Sequence, residues 1–147
     1  MMIMKYFRPE TKLSKALEFD IWRESYGIGI PGCMPQGLAY AALTRGFCVD
    51  IICKMSVMAR IPAAIAKGEN RVISAFTSKD MLKKSVQAGS KIISKSPDIH
   101  DIENAIVQNK VPLVMINMKR LHNINSPHWI VVTGFDAKYV WINDPYA

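Results

Sequence analysis

Apolar residues in the first part of the chain recur at helical spacing. Leu13, Ala16, Leu17, Ile21 and Trp22 fall on one stripe, which predicts an amphipathic helix over about residues 13 to 25. Met1 to Tyr6 reads as the tail of another helix, with no capping residue ahead of it. A loop follows the amphipathic helix, carrying Gly27, Gly29, Pro31 and Gly32. Pro35 suits a first helical turn, Leu38 to Leu43 continue that helix as a buried one, and Gly46 is placed to end it. Phe47 to Cys53 is apolar and β-branched, the pattern of a short strand. Residues 62 to 90 read as helix broken at Pro62, Gly68 and Gly89, with Ser78 positioned to cap a segment starting at Lys79, and Lys91 to Ser94 as a short strand. Ser96 or Asp98 caps a helix reaching about Asn109. Beyond it the period changes from helical to extended, and Val111 to Met118, His128 to Phe135 and Tyr139 to Asn143 all read as strands. Helices first and an antiparallel sheet afterwards make an α+β arrangement, with no internal repeat.

Size narrows this to one domain. A chain of 147 residues with 50% hydrophobic content can bury one ordinary core but not two full ones. Charged residues interrupt every apolar run well short of the roughly 18 residues a membrane span needs, and the opening Met-Met-Ile-Met lacks the basic start and cleavage pattern of a secretory signal. A cytoplasmic location without membrane insertion is therefore expected. The formal charge of +7 raises the question of nucleic acid. Its densest group, Lys79, Lys83, Lys84, Lys91 and Lys95, has no interleaved aromatic residues for stacking and reads as a solvated helix face, so no nucleic-acid partner is expected. Three cysteines, Cys33, Cys48 and Cys53, have neither paired nor metal-ligand spacing, and Cys48 and Cys53 read as small buried hydrophobes of the Phe47 to Cys53 run.

Candidate chemistry concentrates near the C-terminus. Pro127-His128-Trp129-Ile130-Val131-Val132-Thr133-Gly134-Phe135-Asp136 and Tyr139-Val140-Trp141-Ile142-Asn143-Asp144-Pro145 form two strands around a tight turn near Asp136 to Lys138. Such a hairpin brings the start of one strand to the end of the next, so His128 and Asp144 face each other to within a residue or two, where opposed Cβ atoms lie about 5 Å apart. An imidazole whose far nitrogen is held by a carboxylate is what a thiol hydrolase requires as its base. Spacing alone leaves both a catalytic and a purely structural pair open.

The run Ser126 to Pro145, together with Pro112-Leu113-Val114, Arg120-Leu121-His122, Ile21-Trp22-Arg23-Glu24 and Gly37-Leu38-Ala39, resembles the peptidase C39-like family, a papain-like group of cysteine peptidases related to bacteriocin leader peptidases. The resemblance runs in the same order over nearly the whole chain. It implies a papain-like fold with N-terminal helices packed on a C-terminal antiparallel sheet, thiol-dependent hydrolysis of a peptide or related amide, a peptide or protein substrate and no cofactor. It also implies His128 as the catalytic base and Asp144 as its orienter. The family's nucleophile stands in a Cys-Gly-Pro element opening its first helix, preceded by a Gln of the oxyanion hole, and neither occurs in this sequence. The expectation is an N-terminally truncated domain that also stops short of its last strands, inactive alone, with the nucleophile supplied by an upstream segment. A non-catalytic peptide-binding module of the same fold is the alternative.

Cys33 is the one substitute nucleophile to consider. In Gly32-Cys33-Met34-Pro35 it opens an apolar helix, where backbone N–H groups can stabilise a thiolate, although the resemblance places it in a second Gly-rich loop. His122 falls in the polar stretch Lys119 to Ser126 and reads as an exposed loop histidine. His100, beside Asp98 and Asp101, reads as part of a helix start, so no metal site is expected. Trp22, Trp129 and Trp141 read as core or groove wall.

Overall fold

Residues 1–30, 32–58 and 66–145 are described by the computed structural model. They are mixed α and β, and the chain folds as two compact units: Thr11–Pro97 with Met1, and Asp98–Ala147 with Met2–Glu10. Pro31 and Pro62, two of the breakers in the sequence, lie outside the described residues.

The first unit is built around α3 (Pro35–Leu43). Helix α2 (Lys15–Ser25) starts where the side chain of Ser14 accepts from the Leu17 amide, satisfying one of the amides that a helix start leaves without a partner. It runs into α3 at close quarters. A Cβ on Gly37 would stand 2.6 Å from Ser25 Cα, so only glycine allows the approach. Gln36, Gly37, Ala39 and Ala41 form the buried side of α3, of which only Ala39 and Ala41 belong to the apolar run Leu38 to Leu43. Helix α4 (Asn70–Gln87) packs against it with Ser74, Ser78 and Ser85 inward. Ser78 therefore does not cap a helix, as the sequence suggested. It sits mid-helix and takes a hydrogen bond from Gln36 Nε2 at 2.7 Å. Small residues on both facing surfaces let the two helices close up, and Val72 and Phe76 of α4 are left 75% and 73% exposed.

Strand β1 (Asp50–Ile52) pairs with β2 (Lys91–Ile93), and the pairing is parallel, with α4 in the connection between them. A parallel pair needs such a crossover, which the period of either short strand could not announce. Ile51, Ala39 and Met58 form one apolar cluster, flanked by Val49, Cys53 and Leu82; Ile30, Met34 and Ala66 form another, against Met81. The strand is shorter than the apolar run that predicted it. Cys48 consequently lies outside it and is exposed, not buried, while Cys53 is half-buried with its thiol pushed up by desolvation.

The second unit carries α1 (Met2–Phe7), α5 (Ile99–Val107), β3 (Leu113–Asn117), α6 (Lys119–His122), β4 (Pro127–Phe135) and β5 (Val140–Asn143). Asp98, not Ser96, caps α5: its carboxylate accepts from the amides of His100 and Asp101, and Asp101 reaches back to the Asp98 amide. This reciprocal arrangement satisfies donors at both ends of the box. Helix α5 packs on β4, the middle strand of an antiparallel sheet ordered β3-β4-β5. Ile130, Val131 and Val132 are all buried, so both faces of β4 are covered at its centre. No helix among the described residues is long and apolar enough to cross a membrane.

Candidate active site

The hairpin of β4 and β5 closes through Asp136, whose Oδ1 accepts from the amides of Lys138 and Tyr139, each at 2.7 Å. Near the turn the partners are Phe135 with Val140 and Gly134 with Trp141; beyond it they are Val132 with Ile142 and Val131 with Asn143. Thr133 is thus an extra residue in β4, a bulge. Carried one residue further, this register sets Asp144 level with Ile130, two positions from His128 and on its face. Without the bulge Asp144 would be level with Val131, and its side chain would project from the other face, because alternate residues of a strand point to opposite sides. Gly134 belongs to the same device. A Cβ there would come within 2.8 Å of Trp141 Cε3, so the indole lies directly over the glycine.

His128 and Asp144 meet diagonally across the hairpin, not directly opposed. His128 Nε2 lies 2.6 Å from Asp144 Oδ1. The carboxylate is 8% exposed and the imidazole 14% exposed, so the bond is sheltered from water on both sides. An ionised carboxylate only accepts, so a neutral ring here carries its proton on Nε2, which leaves Nδ1 as the unprotonated nitrogen. That is the tautomer a general base needs when its far nitrogen is fixed by an acid.

The structure adds a residue that the sequence placed in an exposed loop. His122 ends the single-turn helix α6, is half-buried, and its Nε2 lies 3.0 Å from Asp144 Oδ2. The reason is local. Met118 is buried, its amide donates to Ser126 O, and the chain then winds one turn so that the His122 amide bonds Met118 O. Residues four apart share a helix face, so burying Met118 turns His122 inward as well. Asn123 then takes a left-handed conformation at φ 57, which asparagine tolerates better than most residues, and reverses the chain toward β4. The resemblance of Arg120-Leu121-His122 to a family motif was the one sequence signal that could have marked His122.

The model of the Peptidase_C39 like family matches residues 1–147, the whole chain. The chain belongs to this family. No curated protein and no solved structure matches it.

Within this family member Cys33 lies in the other compact unit, among Thr11–Pro97. It bridges to Tyr26 and stands just ahead of Met34, the residue before α3, and its Sγ accepts from Ser25 Oγ at 3.1 Å. Ser25 is fully buried, and Ile21 O, 2.6 Å from its Oγ, competes for the same hydroxyl proton. Trp22 and Trp141 are about half exposed, not core: Trp22 sits between Phe19 and Tyr26 on the surface of α2, with ring centroids 6.2 and 4.5 Å away. Trp129 is half-buried. Lys79, Lys83, Lys84, Lys91 and Lys95 are all exposed, as expected of a solvated face. His100 is exposed and its Nδ1 pairs with Glu103, which raises its affinity for a proton. Among the described residues no group of three His, Cys, Asp or Glu side chains is placed to hold a metal ion.

Proposed function

We propose that this chain carries the base and its orienter for a papain-like thiol hydrolase acting on peptide or related amide bonds. The hydrogen bond from His128 Nε2 to the sheltered Asp144 carboxylate is the observation that supports this most directly. Family membership adds the peptide-bond chemistry. In the reaction, Nδ1 of His128 takes the proton of a cysteine thiol as the sulfur attacks the substrate carbonyl. The resulting imidazolium is stabilised by Asp144 and gives that proton to the leaving amine. Water, deprotonated by the same nitrogen, then releases the acyl group from sulfur and restores the thiol.

The nucleophile is a cysteine of a Cys-Gly-Pro element outside the three cysteines of this sequence, with Cys33 as the substitute. A second reading is a peptide-binding module of the same family without turnover. The test compares peptide hydrolysis by residues 1–147, by the Cys33→Ala variant, and by a form joined to a Cys-Gly-Pro helix segment. Turnover is expected only in the joined form, and Asp144→Ala there should reduce kcat by about 10³ to 10⁴. Turnover by residues 1–147 that disappears with Cys33→Ala would move the nucleophile to Cys33. A joined form that binds peptide but never cleaves it leaves the binding module.

A further inference from the structure

Asp144 accepts from two imidazoles, and the hydrolase reading uses one. His122 Nε2 stands 3.0 Å from Oδ2 while His128 Nε2 stands 2.6 Å from Oδ1, and the two rings are edge to face with centroids 6.4 Å apart. We propose that His122 is a positioning residue: by holding Oδ2 it fixes the plane of the Asp144 carboxylate so that Oδ1 stays on His128 Nε2. The inference rests on the hydrolase reading for what the oriented base then does. Its geometric content stands apart from that reading.

The torsion that rotates a carboxylate about its Cβ–Cγ bond is broad and two-fold, so a single hydrogen bond leaves the group free to swing. Two donors on different oxygens remove that freedom. Burial makes the second donor matter more, since a sheltered carboxylate has little water to replace a missing partner, and a hydrogen bond to a charged group contributes more than a neutral one. The donor also comes from a separate element. His122 is held by α6 and by buried Met118, whereas Asp144 follows β5, so the contact ties the β3–β4 connection to the end of the hairpin. A histidine that had merely drifted near the site would stay in the polar loop that its neighbours suggest. Instead it turns inward with its ring nitrogen on the carboxylate.

The proposal makes the Nε2 proton of His128 the reporter. A fixed carboxylate shields that proton from exchange with water, and a swinging one exposes it. In the 147-residue chain, proton NMR should show a slowly exchanging, downfield Nε2–H resonance of His128. His122→Leu fills the space without a donor and should speed its exchange at least about tenfold, while amide exchange of β3 and β4 is unchanged. His122→Gln keeps an N–H near the original Nε2 position and should restore exchange to within about threefold of the starting protein. Should His122→Leu fail to fold, His122→Phe serves as the ring without a donor. Unchanged exchange in the folded Leu or Phe variant overturns the proposal, as does failure of Gln to restore it in a folded chain. In the joined, turnover-competent form, Leu should lower kcat and leave KM in place, with Gln recovering kcat. If that form never turns over, the hydrolase reading falls while the exchange result still decides the role of His122.

Discussion

In the helical unit, buried Gln36 donates through Nε2 to Ser78 Oγ and Ser78 O, and its Oε1 has no partner among the described residues. In the strand unit, each oxygen of the Asp144 carboxylate takes a hydrogen bond, one from His128 and one from His122. Both clusters hide polar atoms, yet they are built for different ends. The amide and hydroxyl cannot gain or lose a proton in the ordinary range, so Gln36 and Ser78 can only pin α3 to α4. The imidazoles can move protons, and their carboxylate is held on both sides. Burial of a polar side chain by itself therefore says little about chemistry; what matters is whether the group titrates and whether its partners fix its direction.

The bulge gives the sharpest way to break this contrast. Deleting Thr133 should shift the hairpin register by one, carry Asp144 to the face opposite His128, and leave charged and polar groups without their partners. The expected cost is about 3 to 5 kcal/mol in urea denaturation, with loss of the His128 Nε2–H resonance. Persistence of that resonance would show that the bulge does not set the face on which Asp144 lies.

Gln36 should respond more mildly and without touching the hairpin. Gln36→Ala is expected to destabilise by about 1 to 3 kcal/mol, because Ser78 loses its partner and a cavity opens between α3 and α4. Gln36→Leu combined with Ser78→Ala replaces both polar partners and should come close to neutral. The measurement is again urea denaturation, with the His128 resonance as control. A double variant as unstable as Gln36→Ala would mean that the hydrogen bond, and not the space, holds these helices.

The smallest effect belongs to the start of α5. Asp98→Ala removes the carboxylate that caps the His100 and Asp101 amides, while its own amide can still donate to Asp101, and should cost about 1 kcal/mol, read as a lower denaturation midpoint with the slope unchanged. A loss several times larger would place Asp98 in the company of Asp144 and not of an ordinary cap.

Much of the local structure was readable along the chain. The helix start at Ser96 or Asp98 was legible, the three C-terminal strands announced themselves by extended, β-branched runs, and the turn at Asp136 brought His128 toward Asp144. These features are set by contacts within a few residues or by one tight turn, so composition and period carry them. Tertiary structure decided the rest. Ser78 could be read as a cap until Gln36, 42 positions away, claimed its hydroxyl. His122 could be read as an exposed loop residue until Met118 was buried and Asp144, 22 positions on, accepted its hydrogen bond. The parity of the hairpin turned on Thr133, where one unpaired residue chooses the face on which a carboxylate emerges. Sequence determined that an imidazole and a carboxylate would lie near each other, because a hairpin joins its ends. That they share a face, and share it with a second imidazole, followed only from pairing and packing between distant residues, which no short stretch of chain encodes.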